Sequence, residues 1–252
     1  MPVTLDITDG IAHVTLDRYE KRNALDAKML ASLDDALAAA AQSTDVQVVL
    51  LRGNGGFFCA GADLTEWADP GPEEAGRLSR LGTASLNRIA ALPVPSVAVV
   101  ERSALGGGLE LALACDLRIT TNDALFGYPE ATLGNLTSWG GIARVVDTVG
   151  LAHARRLFMT GRPISGADAE RIGLVTQAVP SEHLQRAVDE AVSDILSCDP
   201  LALRVLKDAL SVFQRQQPLE SAMAAFFSLS EASRSRKQAF LNRNRPTTKE
   251  ES

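Results

Sequence analysis

The residues best suited to chemistry lie in a glycine-rich run over 104–116, where three consecutive glycines precede an apolar helical stretch. The first amides of a helix lack partners within the helix, and the macrodipole makes that end positive, so the run could stabilise negative charge on an oxygen. Glu110 lies three residues after Gly107 on the same helix face. Glutamate is rarely buried in an apolar helix without a reason, so it is either an acid or base beside an oxyanion site or a carboxylate that only favours the helix dipole.

A second glycine-rich segment, 53–63, follows a strand-like run. The dinucleotide-binding fingerprint needs a third glycine where this chain has Phe58, and the Gly-Lys-Ser/Thr of a P-loop is missing, so no nucleotide cofactor is predicted. A plain turn explains Gly55 and Gly56. The small residues at 60–62, beside Cys59, suit instead the close approach of a ligand to the backbone.

The remaining candidates are weaker when taken alone. Glu130 follows Pro129 in a loop with few charges, but most loop glutamates are solvated. The three histidines, His13, His153 and His183, are scattered and none lies at metal-ligand spacing, so no metal site is predicted.

Together these motifs resemble the enoyl-CoA hydratase/isomerase (crotonase) family over about 3–245, nearly the whole chain. Each motif is common by itself, whereas their order and spacing are typical of the family. The matching runs are 21–25, 58–64, 104–110, 115–116, 129–130, 157–161 and 172–175.

The resemblance implies a specific site. The backbone amides of Ala62 and Gly107 match the oxyanion hole that holds the thioester carbonyl, and Glu110 and Glu130 match the two catalytic glutamates of the family's hydratases. No separate cofactor is expected, because coenzyme A is part of the acyl-CoA thioester substrate. The positions that match the coenzyme A site are Arg22, Ala24, Ala60, Asp63, Leu64 and Gly106.

The activity implied by this resemblance is that of an enoyl-CoA hydratase, which adds water across the 2,3 double bond of a 2-enoyl-CoA. Glu110 would orient and deprotonate water, and Glu130 would carry the proton for the α-carbon. The alternatives are a double-bond isomerase or other acyl-CoA chemistry of the same family. An alternative of another class is a catalytically silent acyl-CoA-binding or scaffold protein.

Two segments depart from the family pattern. Many hydratases have Asn-Gly before the alanine-leucine-glycine run, where this chain has Glu101, Arg102 and Ser103. The loop after Glu130 usually carries small residues, whereas here it contains Trp139. We predict that this indole shapes the acyl pocket; the alternative is a core tryptophan that points away from the ligand.

The elements that must position these residues alternate between strands and helices. The alternation, followed by helices only, predicts an α/β core with a C-terminal helical part. The resemblance implies a spiral of ββα units (1–195) and a C-terminal helical region and tail (196–252) that builds trimers, often paired into hexamers. The predicted strands are 3–8, 11–17, 46–51, 96–100, 117–121, 125–126 and 174–179, and the predicted helices are 27–42 after the cap Asp26, 73–91, 109–114, 183–197, 201–216 and 219–234.

Composition excludes several classes. The chain has 252 residues and a net charge of -6, which argues against nucleic acid as the main partner. No apolar run reaches the roughly 18–20 residues that span a bilayer, and no signal peptide is visible. Cys59, Cys115 and Cys198 are too widely spaced for a disulfide framework. We therefore expect a cytoplasmic protein in a reducing compartment, with no membrane partner.

Overall fold

The structure, a computed structural model, describes residues 1–66 and 72–211. The chain divides into two compact units, Met1–Pro200 and Leu201–Ser252, and the fold below is that of the first. The predicted helix 219–234 and the tail lie outside the described residues. The division at residue 195 and the trimer-forming role of the C-terminal region stay predictions.

The described residues form nine strands, seven α-helices and four short 3-10 turns. The strands are β1 (Val3–Thr8), β2 (Ile11–Leu16), β3 (Val48–Gly53), β4 (Ser96–Val100), β5 (Ser103–Leu105), β6 (Leu117–Thr121), β7 (Leu125–Gly127), β8 (Ile164–Ser165) and β9 (Gln177–Val179). The helices are α1 (Ala27–Gln42), α2 (Pro72–Ala90), α3 (Gly107–Ala114), α4 (Gly141–Thr160), α5 (Gly166–Arg171), α6 (Leu184–Ser197) and α7 (Pro200–Ser211), the last of which lies almost entirely in the second unit.

The main sheet has six strands in the order β1-β2-β3-β4-β6-β9. The β1–β2 hairpin is antiparallel and the other neighbours are parallel. A smaller sheet, β5-β7-β8, stands beside it. Parallel strands end at the same edge of a sheet, so the loop after β3 and the segment that leads from β4 into α3 emerge side by side. This edge brings the two glycine-rich segments together.

Most predicted elements are present. Strands β1, β4 and β6 and helix α1 have the predicted bounds, and the Asp26 side chain caps α1 by accepting a hydrogen bond from the Met29 amide at 2.7 Å. Strand β3 begins two residues later than predicted, and the predicted strand 174–179 is reduced to β9. The prediction contained no helix over α4. Gly150 has φ of 73° within it and interrupts the helical dihedrals, which hides the helix from a periodicity argument.

Within residues 1–66 and 72–211, no helix is long and apolar enough to cross a membrane.

Candidate active site

The loop after β3 is held by backbone pairing on both sides. On one side, the Cys59 amide donates to the Ser103 carbonyl at 3.2 Å. On the other, the Leu25 amide donates to the Gly61 carbonyl at 2.8 Å, and the Asp63 amide donates back to Leu25 at 2.9 Å. The loop backbone is therefore fixed like a strand between two neighbours, although it follows the end of β3.

Glycines let this loop contact the start of α3 directly. A Cβ on Gly108 would lie 2.3 Å from the Cys59 carbonyl oxygen, and one on Gly61, where φ is 107°, would lie 2.7 Å from the Leu105 carbonyl oxygen. A Cβ on Gly107 would lie 3.2 Å from the Ala62 nitrogen. The main chains of the loop and of α3 are thus in contact at the predicted oxyanion hole.

The Ala62 and Gly107 amides form a pair of available donors. Neither donates a hydrogen bond to any other described residue. Gly107 is the first residue of α3, where an amide has no partner within the helix and the macrodipole is positive. Two adjacent amides without partners among the described residues, one of them at a helix start, can stabilise negative charge on one oxygen, which is the arrangement that the resemblance implies.

Glu110 lies one turn into α3 and is only 2 % exposed. Its Oε1 accepts hydrogen bonds from the amides of Trp139 and Gly141, both at 2.8 Å. Burial raises the pKa of Glu110 to about 7, and the negative charge of Glu130 adds to the rise, although the two amides and the charge of Arg144 oppose it. A carboxyl group that titrates near neutral pH can both accept and release a proton.

Glu130 stands on the 3-10 turn Pro129–Leu133, which follows β7. Its Oε1 accepts a hydrogen bond from the Thr137 hydroxyl at 3.1 Å, whereas its buried Oε2 has no partner among the described residues. Burial raises the pKa of Glu130, against the hydrogen bonds that it accepts. A Cβ on Gly106 would lie 2.6 Å from Oε1, so this carboxyl group lies against the residue that precedes α3.

Both carboxyl groups and both oxyanion residues line one cavity of about 400 Å³. Trp139 lines it as well, and its side chain is 2 % exposed. Three of its lining leucines are more than half exposed, namely Leu64, Leu133 and Leu136. The cavity therefore combines two hydrogen-bond-donating amides, two titratable acids and apolar walls. This combination suits an acyl group whose carbonyl oxygen becomes negatively charged during reaction.

The predicted coenzyme A positions fall into two groups. Ala60, Leu64 and Gly106 line the cavity. Arg22, Ala24 and Asp63 are not among its described lining residues. The role predicted for all six stays a prediction.

The members of the second group lie in or beside the backbone that supports the cavity. The Ala60 amide donates to the Arg22 carbonyl at 3.0 Å, and the exposed guanidinium of Arg22 lies 5.5 Å from the centre of the Phe57 ring. Asp63 is 5 % exposed and is paired with Arg18 at 2.7 Å.

Sequence reasoning missed three side chains that tune or support the site. Arg18 binds Asp63, Thr137 donates to Glu130, and Arg144 donates to the Trp139 carbonyl at 2.8 Å. Arg18 and Asp63 are distant in sequence, and no spacing rule relates them. Thr137 is a polar residue in the loop after Glu130, which is the only signal the sequence offers for it.

Within the described ranges, no group of three or more His, Cys, Asp or Glu side chains is arranged to hold a metal ion.

Comparisons with known proteins show the family of the chain. The enoyl-CoA hydratase/isomerase family model matches residues 6–249. "Enoyl-CoA hydratase domain-containing protein 2, mitochondrial" from Bos taurus is 40% identical over 209 residues, which are 80% of this chain and 70% of that protein. The 2,3-dehydroadipyl-CoA hydratase of Escherichia coli K12 is 35% identical over 242 residues, 94% of each chain.

Solved structures share the fold over nearly the whole chain. The enoyl-CoA hydratase from Bacillus anthracis has a TM-score of 0.89 and 32% identity, and the match covers 96% of this chain and 97% of that one. AtuE from Pseudomonas aeruginosa has a TM-score of 0.89 and 31% identity over the same shares. The α/β fold predicted from the sequence is confirmed as the crotonase fold, and the chain belongs to the enoyl-CoA hydratase/isomerase family.

Proposed function

We propose that this protein is an enoyl-CoA hydratase that adds water across the 2,3 double bond of a 2-enoyl-CoA thioester. The observation that carries the proposal is that Glu110 and Glu130 line the same cavity as the free amides of Ala62 and Gly107. Addition of water needs an oxyanion site, a base for water and an acid for carbon, and these residues supply one group for each task.

The reaction follows from the placement of these groups. The thioester carbonyl oxygen accepts hydrogen bonds from the Ala62 and Gly107 amides. Glu110 takes a proton from water as the water oxygen bonds to C3, and the π electrons of the double bond move to form the enolate. The amides hold its negative oxygen, and C2 then takes a proton from Glu130. The net change is the addition of one water molecule, and solvent exchange returns both carboxyl groups to their starting protonation states.

The environments of the two acids favour the sharing of one proton between them. The reaction must start with one acid ionised and the other protonated. Burial raises the pKa of both groups, and the charge of Glu130 raises that of Glu110 further. Carboxyl groups coupled in this way titrate as a pair, and a pair that holds one proton has one group that can give a proton and one that can take it.

A double-bond isomerase is the second candidate. Moving a double bond requires a proton to be carried from one carbon to another and needs no water. The free, buried Oε2 of Glu130 could perform that transfer alone. An enoyl-CoA isomerase/hydratase from Mycosarcoma maydis, 34% identical over 212 residues, carries both activities in its name.

The deciding experiment compares Glu110→Gln and Glu130→Gln on 2-enoyl-CoA and 3-enoyl-CoA thioesters in deuterated water, with products read by mass spectrometry. Each variant should lose hydration by roughly 10²–10⁴-fold while coenzyme A affinity is nearly kept. Glu182→Gln, a change of an exposed residue on another turn, is the matched control and should be silent.

The outcomes separate the candidates. Hydration within a few-fold of wild type in either site variant contradicts the two-glutamate mechanism. Conversion of 3-enoyl-CoA that needs Glu130 but not Glu110 favours the isomerase. Tight acyl-CoA binding with no conversion of either substrate favours a silent binding protein.

A further inference from the structure

The Trp139 indole is wedged between two helices. A Cβ on Gly82 of α2 would lie 2.3 to 2.4 Å from three atoms of the indole. A Cβ on Gly107 of α3 would lie 2.5 Å from Cζ3 of the same ring. The indole therefore lies directly on the backbone of both helices, and each helix carries a glycine where they touch it.

This arrangement is unfavourable as ordinary core packing. Glycine in a helix interior is disfavoured relative to alanine, yet only glycine at position 82 leaves room for the ring. The indole Nε1 is buried and has no acceptor among the described residues, which is a further cost that phenylalanine would avoid. A large ring kept at this point in spite of both costs points to a role in the cavity that it lines.

The ring also closes the cavity along α2. Among the described residues of α2, Ala75 lines the cavity. Gly82 lies two turns further, about 10 Å along the helix axis, and there the indole occupies the space beside the helix. The adjoining loop is anchored to the same face, because the hydroxyls of Ser79 and Thr83 donate to the Ser138 carbonyl at 2.9 and 3.2 Å. The indole is therefore a fixed wall.

An acyl chain bound for reaction would reach this wall within a few bonds. Its carbonyl lies at the Ala62 and Gly107 amides, and the indole touches Gly107. Its C2 and C3 must lie near Glu110 and Glu130, and the Trp139 amide itself donates to Glu110. Carbons beyond C3 therefore meet the ring, unless they leave past the exposed leucines at the other side of the cavity.

We propose that Trp139, whose ring packs against Gly82, forms the wall that ends the acyl part of the cavity. The site then accepts short acyl groups and excludes long unbranched ones. The inference rests on the proposed function only in that the ligand is an acyl-CoA whose carbonyl occupies the oxyanion site. The proposal does not depend on whether the enzyme then hydrates or isomerises the ligand.

The test uses saturated acyl-CoA thioesters with four to twelve acyl carbons, because they can be neither hydrated nor isomerised. Affinities are measured by titration calorimetry for the wild type and for Trp139→Ala. In the wild type, affinity should stop rising, or fall, beyond the shortest chains. In Trp139→Ala it should continue to rise by up to about fourfold per methylene, which gives a gain of at least about tenfold for ten carbons relative to four.

A refilling variant provides the matched control. Gly82 has ordinary helical dihedrals, so Gly82→Leu in the Trp139→Ala background can place a new side chain into the vacated space and should restore the short-chain preference. Trp139→Phe should be intermediate, and it keeps the test decisive if the alanine variant does not fold. The proposal is overturned if the dependence of affinity on chain length is the same in the wild type as in the folded variants, or if wild-type affinity climbs through twelve carbons.

Discussion

Two buried carboxyl groups flank the oxyanion site, and they are held in opposite ways. Asp63 follows Ala62 and is 5 % exposed, whereas Glu110 stands three residues after Gly107 and is 2 % exposed. Asp63 binds the Arg18 guanidinium at 2.7 Å and accepts two hydrogen bonds from Thr65. Glu110 accepts hydrogen bonds from backbone amides and forms no ion pair with any described residue.

The pKa values of the two groups follow from their partners. Burial alone would raise the pKa of Asp63, but the hydrogen bonds from Thr65 and Arg18 and the positive charge of Arg18 hold it below its ordinary value. Burial raises the pKa of Glu110 to about 7. The charge of Arg144 opposes this rise, but Arg144 donates its hydrogen bonds to the Trp139 carbonyl and the Asn87 side chain. A full charge partner fixes an acid as a structural ion, and its absence leaves an acid that can exchange protons.

The Asp63 side is a structural network. Arg18 also reaches Asp26, the cap of α1, at 3.1 Å and donates to the Ala24 carbonyl at 3.0 Å. One guanidinium thus ties the start of α1, the segment before it and the oxyanion loop together. On the Glu110 side, α3 is wholly buried, and the carboxylate is held by the loop that begins α4.

The largest expected effect comes from Gly107→Ala, which changes the oxyanion site at the start of α3. The new Cβ would lie 2.5 Å from the Trp139 ring and 3.2 Å from the Ala62 nitrogen, so it would push the indole and block the donor pair. We expect kcat/KM for a 2-enoyl-CoA to fall by roughly 10²–10³-fold or more. Steady-state kinetics, with circular dichroism to check folding, would measure it.

Two controls sharpen this first prediction. Gly76→Ala adds a Cβ to α2 that meets only the flexible end of Arg80, at 3.2 Å, and should leave kcat/KM unchanged. Trp139→Ala combined with Gly107→Ala removes the clash with the ring but not the crowding of the Ala62 amide, so activity should stay low. Recovery in that double variant would mean that the clash, not the oxyanion site, caused the loss.

The sequence was sufficient for the backbone of the site but not for its electrostatics. Gly107, Ala62, Glu110 and Glu130 stand in local motifs that can be recognised from the sequence alone. Whether a buried acid is ionised depends on partners that folding brings from elsewhere. Arg18 reaches Asp63 only because the loop after β3 pairs with the segment before α1.

The Trp139 wedge shows the same limit. The sequence marked this tryptophan as unusual, and the structure places it on the cavity wall. Its contact with Gly82 joins α2 to the loop before α4, and no periodicity in either segment predicts it. In the sequence, Gly82 is only a residue that destabilises a helix, and the packed ring explains why glycine stands there.

The second prediction concerns the Asp63 side. Asp63→Asn removes a buried charge and leaves Arg18 with Asp26, so we expect the free energy of unfolding at pH 7 to fall by about 1–3 kcal/mol. The folded pKa of Asp63 lies below its unfolded value, so this stability is present above about pH 4 and is lost as pH falls further. Urea unfolding at pH 7 would show the loss of stability, and unfolding at about pH 2–3 would show that the loss becomes smaller.

Activity and a surface pair serve as comparisons for this variant. Because Asp63 is not among the described residues that line the cavity, kcat/KM should change far less than in Gly107→Ala. Glu74→Gln breaks an exposed pair with Arg77 and should not change stability measurably. If Asp63→Asn were as stable as wild type at pH 7, the pair with Arg18 would not be what holds the loop.

The last effect has the opposite sign and belongs to Glu110. The folded pKa of about 7 lies above the value near 4.3 expected for an unfolded chain, so the folded state binds the proton more tightly. Below about pH 4 both states are protonated and the group costs nothing; the cost of keeping it buried grows as pH rises and is complete above pH 7, at about 3–4 kcal/mol. Glu110→Gln keeps an oxygen for the Trp139 and Gly141 amides but cannot ionise. It should therefore melt at the same temperature as wild type near pH 4 and several degrees higher at pH 8, a difference that thermal unfolding followed by circular dichroism across this range would measure. Equal melting temperatures at every pH would mean that the carboxylate is as well solvated as an exposed one, and the contrast with Asp63 would then lose its physical basis.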